Sequence, residues 1–520
     1  MVHRAESIGQ RGPSAFLLAL TCAILLITAF PNFNVWPLAW FGLVPLFFAI
    51  EGKTPRQAFA ISYIAGILFF SGTMYWLIHV TLPGMIILIL YLALYFGFFS
   101  VFFVFTRPHP RLAVATVPAA WITLEYIRSN LFSGFGWALL GYSQSSALPA
   151  IQIADIAGAY GVSFLIVMVN CGVYFALKSL KSASLKAFSP LMIAGLCLLA
   201  ALAYGQYRLN NIFTGEPLKV SVIQGSIPQE QKWEEAFRER IISAYEGLTR
   251  EAALEQPDLI IWPETAFPGI LGTDSTMDAR LAALAGEVKA HILVGAPRAQ
   301  GGLLYNSAIL FSGQGKVVAL YDKLNLVPFG EYIPFKKFFA FVERLAPVPI
   351  GDFRKGSQYT VFRFDVNRRR SSGTKIIRKK KTVKFSCLIC FEDIFPALAR
   401  QFKKDGAQFL VNITNDAWFK RSSAPYQHAQ ASVFRAVENR SSVVRAANTG
   451  LSCFIDQRGG ITGRVADGKR DLFVDGFKTA DIMLADTDSF YRRYGDIFVY
   501  LAMLLAAASV LSIMFRRKAL

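Results

Sequence analysis

The sequence predicts a multi-pass α-helical membrane domain joined to an α/β domain, and three observations carry that prediction. Of 520 residues, 54% are hydrophobic, 14% aromatic and only 17% charged, too apolar a balance for a soluble enzyme. Apolar runs approaching the roughly 20 helical residues that a bilayer core needs recur through the first two hundred positions and once at the C-terminus. Between them the texture changes: short β-branched runs alternate with polar helical stretches, the pattern of an α/β layer structure. The same composition excludes intrinsic disorder, and 6 Cys are far too few for a small disulfide scaffold. A net charge of +19 raises nucleic acid as a partner. No Lys/Arg stripe with interleaved aromatics is present, however, so no nucleic-acid partner is expected and the charge is read as topology.

Seven apolar spans are expected near Ser14 to Phe30, Val35 to Ile50, Gln57 to Val80, Gly84 to Thr106, Leu112 to Ser129, Ile156 to Leu177 and Ser189 to Gln206, with an eighth from Asp496 to Phe515. Pro37, Pro45 and Pro118 interrupt the second and fifth. Short cytoplasmic loops collect Lys and Arg. Arg4 and Arg11, Lys53 and Arg56, Arg107 and Arg111, Lys178, Lys181 and Lys186, and Arg516 to Lys518 mark every second loop, while Pro31 to Asn34, Thr81 to Pro83 and Asn130 to Asp155 carry no basic residue. Both termini are therefore expected in the cytoplasm and the long segment on the opposite side. The organisation expected is a membrane domain over 1–206, an extracytoplasmic domain over 207–495, and a C-terminal span with a basic tail over 496–520.

Within that domain LKVSVIQ, DLIIWPE, HILVGAP, NSAILF, KVVALY, VKFSCLI and AQFLVNIT read as strands. Helices are expected over Trp233 to Leu254, Thr276 to Lys289, Phe395 to Lys404 and Tyr426 to Ala447. The basic run Arg368 to Lys384 reads as an exposed hairpin insertion. CLIC pairs Cys387 with Cys390, a spacing open to a disulfide, a redox centre or half a zinc site. A zinc site needs two further ligands, and the chain holds only five His, with no H-x-x-x-H and no second C-x-x-C. Residues three apart on a strand point to opposite faces, so Cys387 is expected in the sheet and Cys390 where the strand ends. There a helix N-terminus would favour its thiolate, making Cys390 the candidate nucleophile.

Three charges keep it company. Glu264 ends the apolar strand DLIIWPE, a poor place for a carboxylate unless it faces a cleft, and suits a general base. Lys323 follows another strand end, where an ammonium would lower the thiol pKa and stabilise an oxyanion. Glu331, in the same loop, would hold Lys323 or steer an incoming amine. Any one of these in isolation is an ordinary surface charge; a thiol and three charges, each at the end of a predicted strand or in the loop beyond, are harder to dismiss.

WPET, YDKLNLVPFGEY and CFEDIFP, in that order and spacing, resemble the Glu-Lys-Cys signature of the nitrilase superfamily. With the spans around them, nearly the full length resembles the apolipoprotein N-acyltransferase family. QGSIPQEQKW, FLVNITNDAWF with Asn415, Asp416 and Trp418, RAANTGLS, GFGWALLGYSQ and DIAGAYGVSF extend the likeness. The chain departs from the family where it has Phe391 for Tyr, Gly136 for Pro and Lys420 for Gly. Phe391 keeps the backbone N–H of an oxyanion hole but lacks the hydroxyl.

The resemblance implies a nitrilase-like αββα sandwich with Glu264, Lys323 and Cys390 as catalytic residues, and Glu331, Trp233, Phe391 and Glu392 as supporting or substrate-binding ones. It implies acyl transfer from a phospholipid such as phosphatidylethanolamine, through a Cys thioester, to the α-amine of diacylglyceryl apolipoproteins. No cofactor and no metal are implied, and the setting is the bacterial cytoplasmic membrane with a periplasmic catalytic domain, as a monomer. Phe335, Phe338, Phe339, Val342 and Leu345 recur at helical spacing, as in an amphipathic lid on the outer leaflet. The competing expectations are a membrane-tethered amidase using the same residues with water, and a non-enzymatic lipoprotein-binding or transport module.

Overall fold

The computed structural model describes residues 14–180, 185–211, 215–333, 352–372, 375–484 and 487–518. Arg4, Arg11, Lys181 and the lid expected over Phe335 to Leu345 lie outside the described residues. Helices Ala15–Thr28, Pro55–Thr73, Leu82–Thr106, Pro110–Asn130, Ala154–Lys178 and Ser189–Asn210 form an N-terminal bundle, which Ile497–Lys518 joins from the C-terminus. Small residues let two of these helices approach closely: a Cβ on Gly66 would stand 3.0 Å from the Cα of Ala93. By length and composition three helices, Leu82–Thr106, Ala154–Lys178 and Lys186–Asn210, are long and apolar enough to cross a membrane among the described residues.

The second expected span is not one helix. It folds as a 3-10 turn, Trp36–Trp40, and a 6-residue helix, Val44–Ala49, each with a proline in its first turn. Proline is tolerated there and disfavoured in a helix interior, and Pro37 and Pro45 each start a short piece. Six helical residues rise about 9 Å against a core of about 30 Å. The third expected span likewise ends at Thr73 and resumes as a 3-10 turn, Tyr75–His79, whereas Pro118 lies inside the unbroken Pro110–Asn130 helix.

The remainder is built on twelve described strands: β1 (Glu216–Gln224), β2 (Leu259–Ile261), β3 (His291–Gln300), β4 (Leu303–Phe311), β5 (Val317–Asp322), β6 (Phe362–Ser372), β7 (Lys375–Ile389), β8 (Phe409–Thr414), β9 (Val443–Ala447), β10 (Cys453–Ile455), β11 (Ile461–Arg464) and β12 (Gly476–Leu484). They form two six-stranded sheets, ordered β12-β1-β2-β3-β4-β5 and β11-β10-β9-β8-β7-β6. Each has three parallel strands at its centre, β1-β2-β3 in one and β7-β8-β9 in the other, flanked by antiparallel neighbours. Alternation sorts the side chains. Val220, Val222, Ile261 and Leu293 of the first sheet meet Cys387, Val411 and Val444 of the second in a shared core. Ile223, Ile260 and Val294 face a second core under the helices Arg238–Ala253 and Ser275–Val288. With Pro396–Lys404 and Ala424–Asn439 outside the second sheet, the layers are helix, sheet, sheet, helix.

β6 and β7 pair from Phe362↔Phe385 out to Ser372↔Lys375, which makes the basic insertion a hairpin as expected. The Ala424–Asn439 helix is buried on every face except at Tyr426. It lies between the second sheet and the N-terminal bundle, held by Arg440 on Asp155 (2.6 Å) and Glu438 on the Ala159 N–H (3.0 Å). A helix covered on both sides has no need of one apolar face.

Candidate active site

Parallel strands end together, and the chain after each centres on one cleft. β7 stops at Ile389, and Cys390 turns the chain into a 3-10 segment, Cys390–Ile394, with φ of +56°. A side chain in that left-handed region costs about 1–2 kcal/mol, a cost that persists only where the surroundings impose it. Pro396 opens the following helix at its first position, as the sequence predicts. Cys387 packs in the inter-sheet core as a free thiol, and Cys390 is a free, partly buried thiol.

Glu264 follows β2 by three residues, Lys323 follows β5 directly, and Glu331 lies in the loop beyond. The Lys323 Nζ stands 3.3 Å from Glu264 Oε1 and 2.9 Å from Glu331 Oε1, all three buried or nearly so. The Asn306 side-chain amide, on β4, donates to both carboxylates at 2.8 Å. The Asn415 N–H, just past β8, donates to Glu264 Oε2 at 2.9 Å, and the Val327 N–H to Glu331 Oε2 at 2.8 Å. Both carboxylates are thus held by fixed donors.

Glu392 does not join this cluster. Its buried carboxylate accepts from the N–H groups of Ile389 (2.8 Å), Leu324 (2.7 Å) and Asn325 (2.9 Å) and from the Tyr321 hydroxyl (3.0 Å). It ties the turn at Cys390 to the loop at Lys323. Burial pushes it up to about 7 against the pull of those backbone donors. Phe391 packs edge-on to Phe395 at 5.3 Å and has the Lys323 ammonium 5.6 Å from its ring centre. Trp233 is 52% exposed, beside the buried Lys232.

Lys232 was not singled out by sequence. It donates from Nζ to the Glu264 carbonyl oxygen at 3.0 Å, and burial lowers it to about 7, with Glu264 and Cys390 pulling the other way. Its signal was present only as the residue before a notable Trp. Asn306 and His428 were likewise passed over.

The electrostatics correct one expectation. Lys323 does favour the Cys390 thiolate, but burial pushes the thiol well above its ordinary value, and the Glu264 carboxylate adds to that. The resting sulfur is a thiol. Lys323 loses to burial and regains more from Glu331 and Glu264, so it stays charged, above its ordinary value.

A thiol on a strained turn, a carboxylate and an ammonium at the ends of neighbouring strands, in a helix-sheet-sheet-helix domain, define a carbon–nitrogen hydrolase domain, and the family model of that description matches residues 219–492. A second model, for the apolipoprotein N-acyltransferase N-terminal domain, matches residues 22–172. A protein of Geobacter metallireducens named apolipoprotein N-acyltransferase is 40% identical, over 97% of this chain and 96% of its own. One of the same name from Methylococcus capsulatus is 32% identical over 86% of each. An amidase of the nitrilase superfamily from Nesterenkonia AN1 has a solved structure that covers 55% of this chain and 98% of its own, at 18% identity and a TM-score of 0.38. The chain belongs to the apolipoprotein N-acyltransferase family, membrane proteins of the nitrilase superfamily.

Proposed function

We propose that this chain is an N-acyltransferase that moves the sn-1 acyl chain of a phospholipid, phosphatidylethanolamine being the donor expected, to the α-amine of the N-terminal S-diacylglyceryl-cysteine of apolipoproteins. Family membership supports the lipoprotein N-acyltransferase activity. The observation that carries the chemistry is the ion triplet of Glu264, Lys323 and Glu331 placed against the Cys390 turn.

Glu264 takes the Cys390 proton as the sulfur attacks the ester carbonyl carbon. The charge that develops on the carbonyl oxygen falls to the Lys323 ammonium and the Phe391 N–H. Lys323 is held as a fixed cation, so it serves as an electrostatic donor rather than a proton shuttle. As the C–O bond breaks, the lysophospholipid oxygen recovers the proton from Glu264 and a thioester remains. The neutral α-amine then attacks the thioester carbon and Glu264 accepts its proton. The C–S bond breaks, leaving an amide and a thiol that recovers that proton. A thioester is readily displaced by an amine, provided water is kept out until the amine arrives.

The alternation of basic and uncharged loops supports cytoplasmic termini and a periplasmic catalytic domain in the cytoplasmic membrane. Purified protein mixed with phosphatidylethanolamine and a diacylglyceryl lipopeptide should add one acyl mass to the peptide. Release of fatty acid or ammonia with no peptide acylation would instead mark a membrane-tethered amidase. A Cys390→Ala protein that still supports lipoprotein maturation in cells would mark a binding module.

A further inference from the structure

Behind the Cys390 turn lies a buried group of charges that the chemistry above leaves unused. His428, on the Ala424–Asn439 helix, sets Nδ1 2.9 Å from Asp416 Oδ1, and Nε2 3.0 Å from Asp393 Oδ1 and 3.2 Å from the Cys390 carbonyl oxygen. Arg445, on β9, reaches Asp393 Oδ2 at 3.0 Å and Asp416 Oδ2 at 3.3 Å, closing a ring of two cations and two anions. Arg445 also donates to Asn412 Oδ1 (2.7 Å), which orients the Asn412 amide to donate to the same Cys390 carbonyl at 2.9 Å. All five side chains are buried.

With a carboxylate at each ring nitrogen, only an imidazolium keeps both nitrogens as donors. Burial and Arg445 oppose that charge, but Asp393 and Asp416 outweigh them and hold His428 up at about 9. The Trp137 ring, from the N-terminal bundle, covers the imidazole at 5.3 Å.

The consequence follows from peptide geometry. The bond from Cys390 to Phe391 is a planar trans amide, so its C=O and N–H point in opposite directions. Asn412 and His428 both hold the C=O from the side of β8 and the buried helix. The Phe391 N–H therefore points away from them, and early N–H groups of a helical turn have no acceptor within the turn. Donors on the carbonyl also polarise the amide and strengthen its N–H. We propose that His428, together with Asn412, is a positioning residue that fixes and polarises the Cys390–Phe391 amide so that the Phe391 N–H meets the acyl-transfer oxyanion. This rests on the reading of Cys390 as the acylated nucleophile.

The test separates the two nitrogens of the ring in the full-length protein. In His428→Gln the amide nitrogen takes the place of Nε2 and keeps the Cys390 contact; in His428→Asn it takes the place of Nδ1 and loses it. Acylation of Cys390 is followed by intact mass with phosphatidylethanolamine and with a p-nitrophenyl ester, and alkylation with iodoacetamide, which develops no oxyanion. Loss of one oxyanion donor costs about 100-fold or more. The expected result is that His428→Gln acylates within about tenfold of the parent and His428→Asn about 100-fold slower. Both should alkylate at about the parental rate, since the nucleophile is untouched. Equal acylation by the two variants, or acylation and alkylation falling in parallel, would overturn the proposal. A parent inert to phospholipid but acylated by the soluble ester counts against the lipid-donor reading alone, and the Gln-to-Asn ratio on that ester still decides the role of His428.

Discussion

The ammonium of Lys323 is shared by two buried carboxylates, 3.3 Å from Glu264 and 2.9 Å from Glu331. Lys323→Met would leave both carboxylates in a buried site with only neutral donors. Breaking a buried ion pair from one side costs about 3–5 kcal/mol, so a large drop in apparent Tm should accompany loss of Cys390 acylation. Acylation followed by intact mass is expected to fall at least about 100-fold. Parental acylation in the variant would show that the ammonium has no part in the reaction.

The buried thiol sets a pH dependence. Burial and Glu264 hold Cys390 well above its ordinary value, so the thiolate fraction should still be climbing at the alkaline end of the range. Alkylation by iodoacetamide should rise with pH, with no plateau below about pH 9. A plateau at neutral pH would reveal a preformed thiolate and remove the need for a general base. On the account here Glu264→Gln slows acylation by about 100-fold to 10,000-fold, the range for a positioned base.

Lys232 gives a stability signature. Its folded value is about 7 against an ordinary 10.5, so between those values the unfolded chain holds one more proton than the folded one. Stability then rises with pH across that window; the penalty for burying the ammonium is full below about pH 7 and fades toward about pH 10.5. Lys232→Met has no such penalty. The variant's apparent Tm relative to the parent should therefore fall as pH rises from 7 to 10, and a difference that does not change with pH would contradict this.

Lys420 sits at φ of +50° and ψ of −159°. That region is almost reserved for Gly, and other residues pay about 1–3 kcal/mol there. Gly gives back about 0.5–1 kcal/mol in unfolded-chain entropy, so Lys420→Gly should raise the apparent Tm modestly. A lower Tm would show that the Lys420 side chain contributes more than its backbone costs.

The strands β1, β3 and β7 were legible in sequence as short, largely β-branched apolar runs bounded by turns. Glu264 was legible from its place: a carboxylate closing the apolar run DLIIWPE has no place in a core. The second apolar run was misread as one span, since hydropathy does not register that Pro37 and Pro45 each begin a helix. The helix expected over Tyr426 to Ala447 ends at Asn439, and Val443–Ala447 is the strand β9 instead; both are buried apart from Tyr426, so no contrast between faces marks the boundary. Glu392, implied by the resemblance as a supporting or substrate-binding residue, ties two loops together through backbone N–H groups that no sequence displays.

The central claim is that the Cys390 sulfur carries the acyl group between two substrates. Intact mass of the purified protein after incubation with phospholipid alone measures this directly. One added acyl mass, mapped to Cys390, should appear and then vanish when a diacylglyceryl lipopeptide is supplied. An unmodified protein that nonetheless acylates the peptide, or an adduct on a different residue, would contradict it.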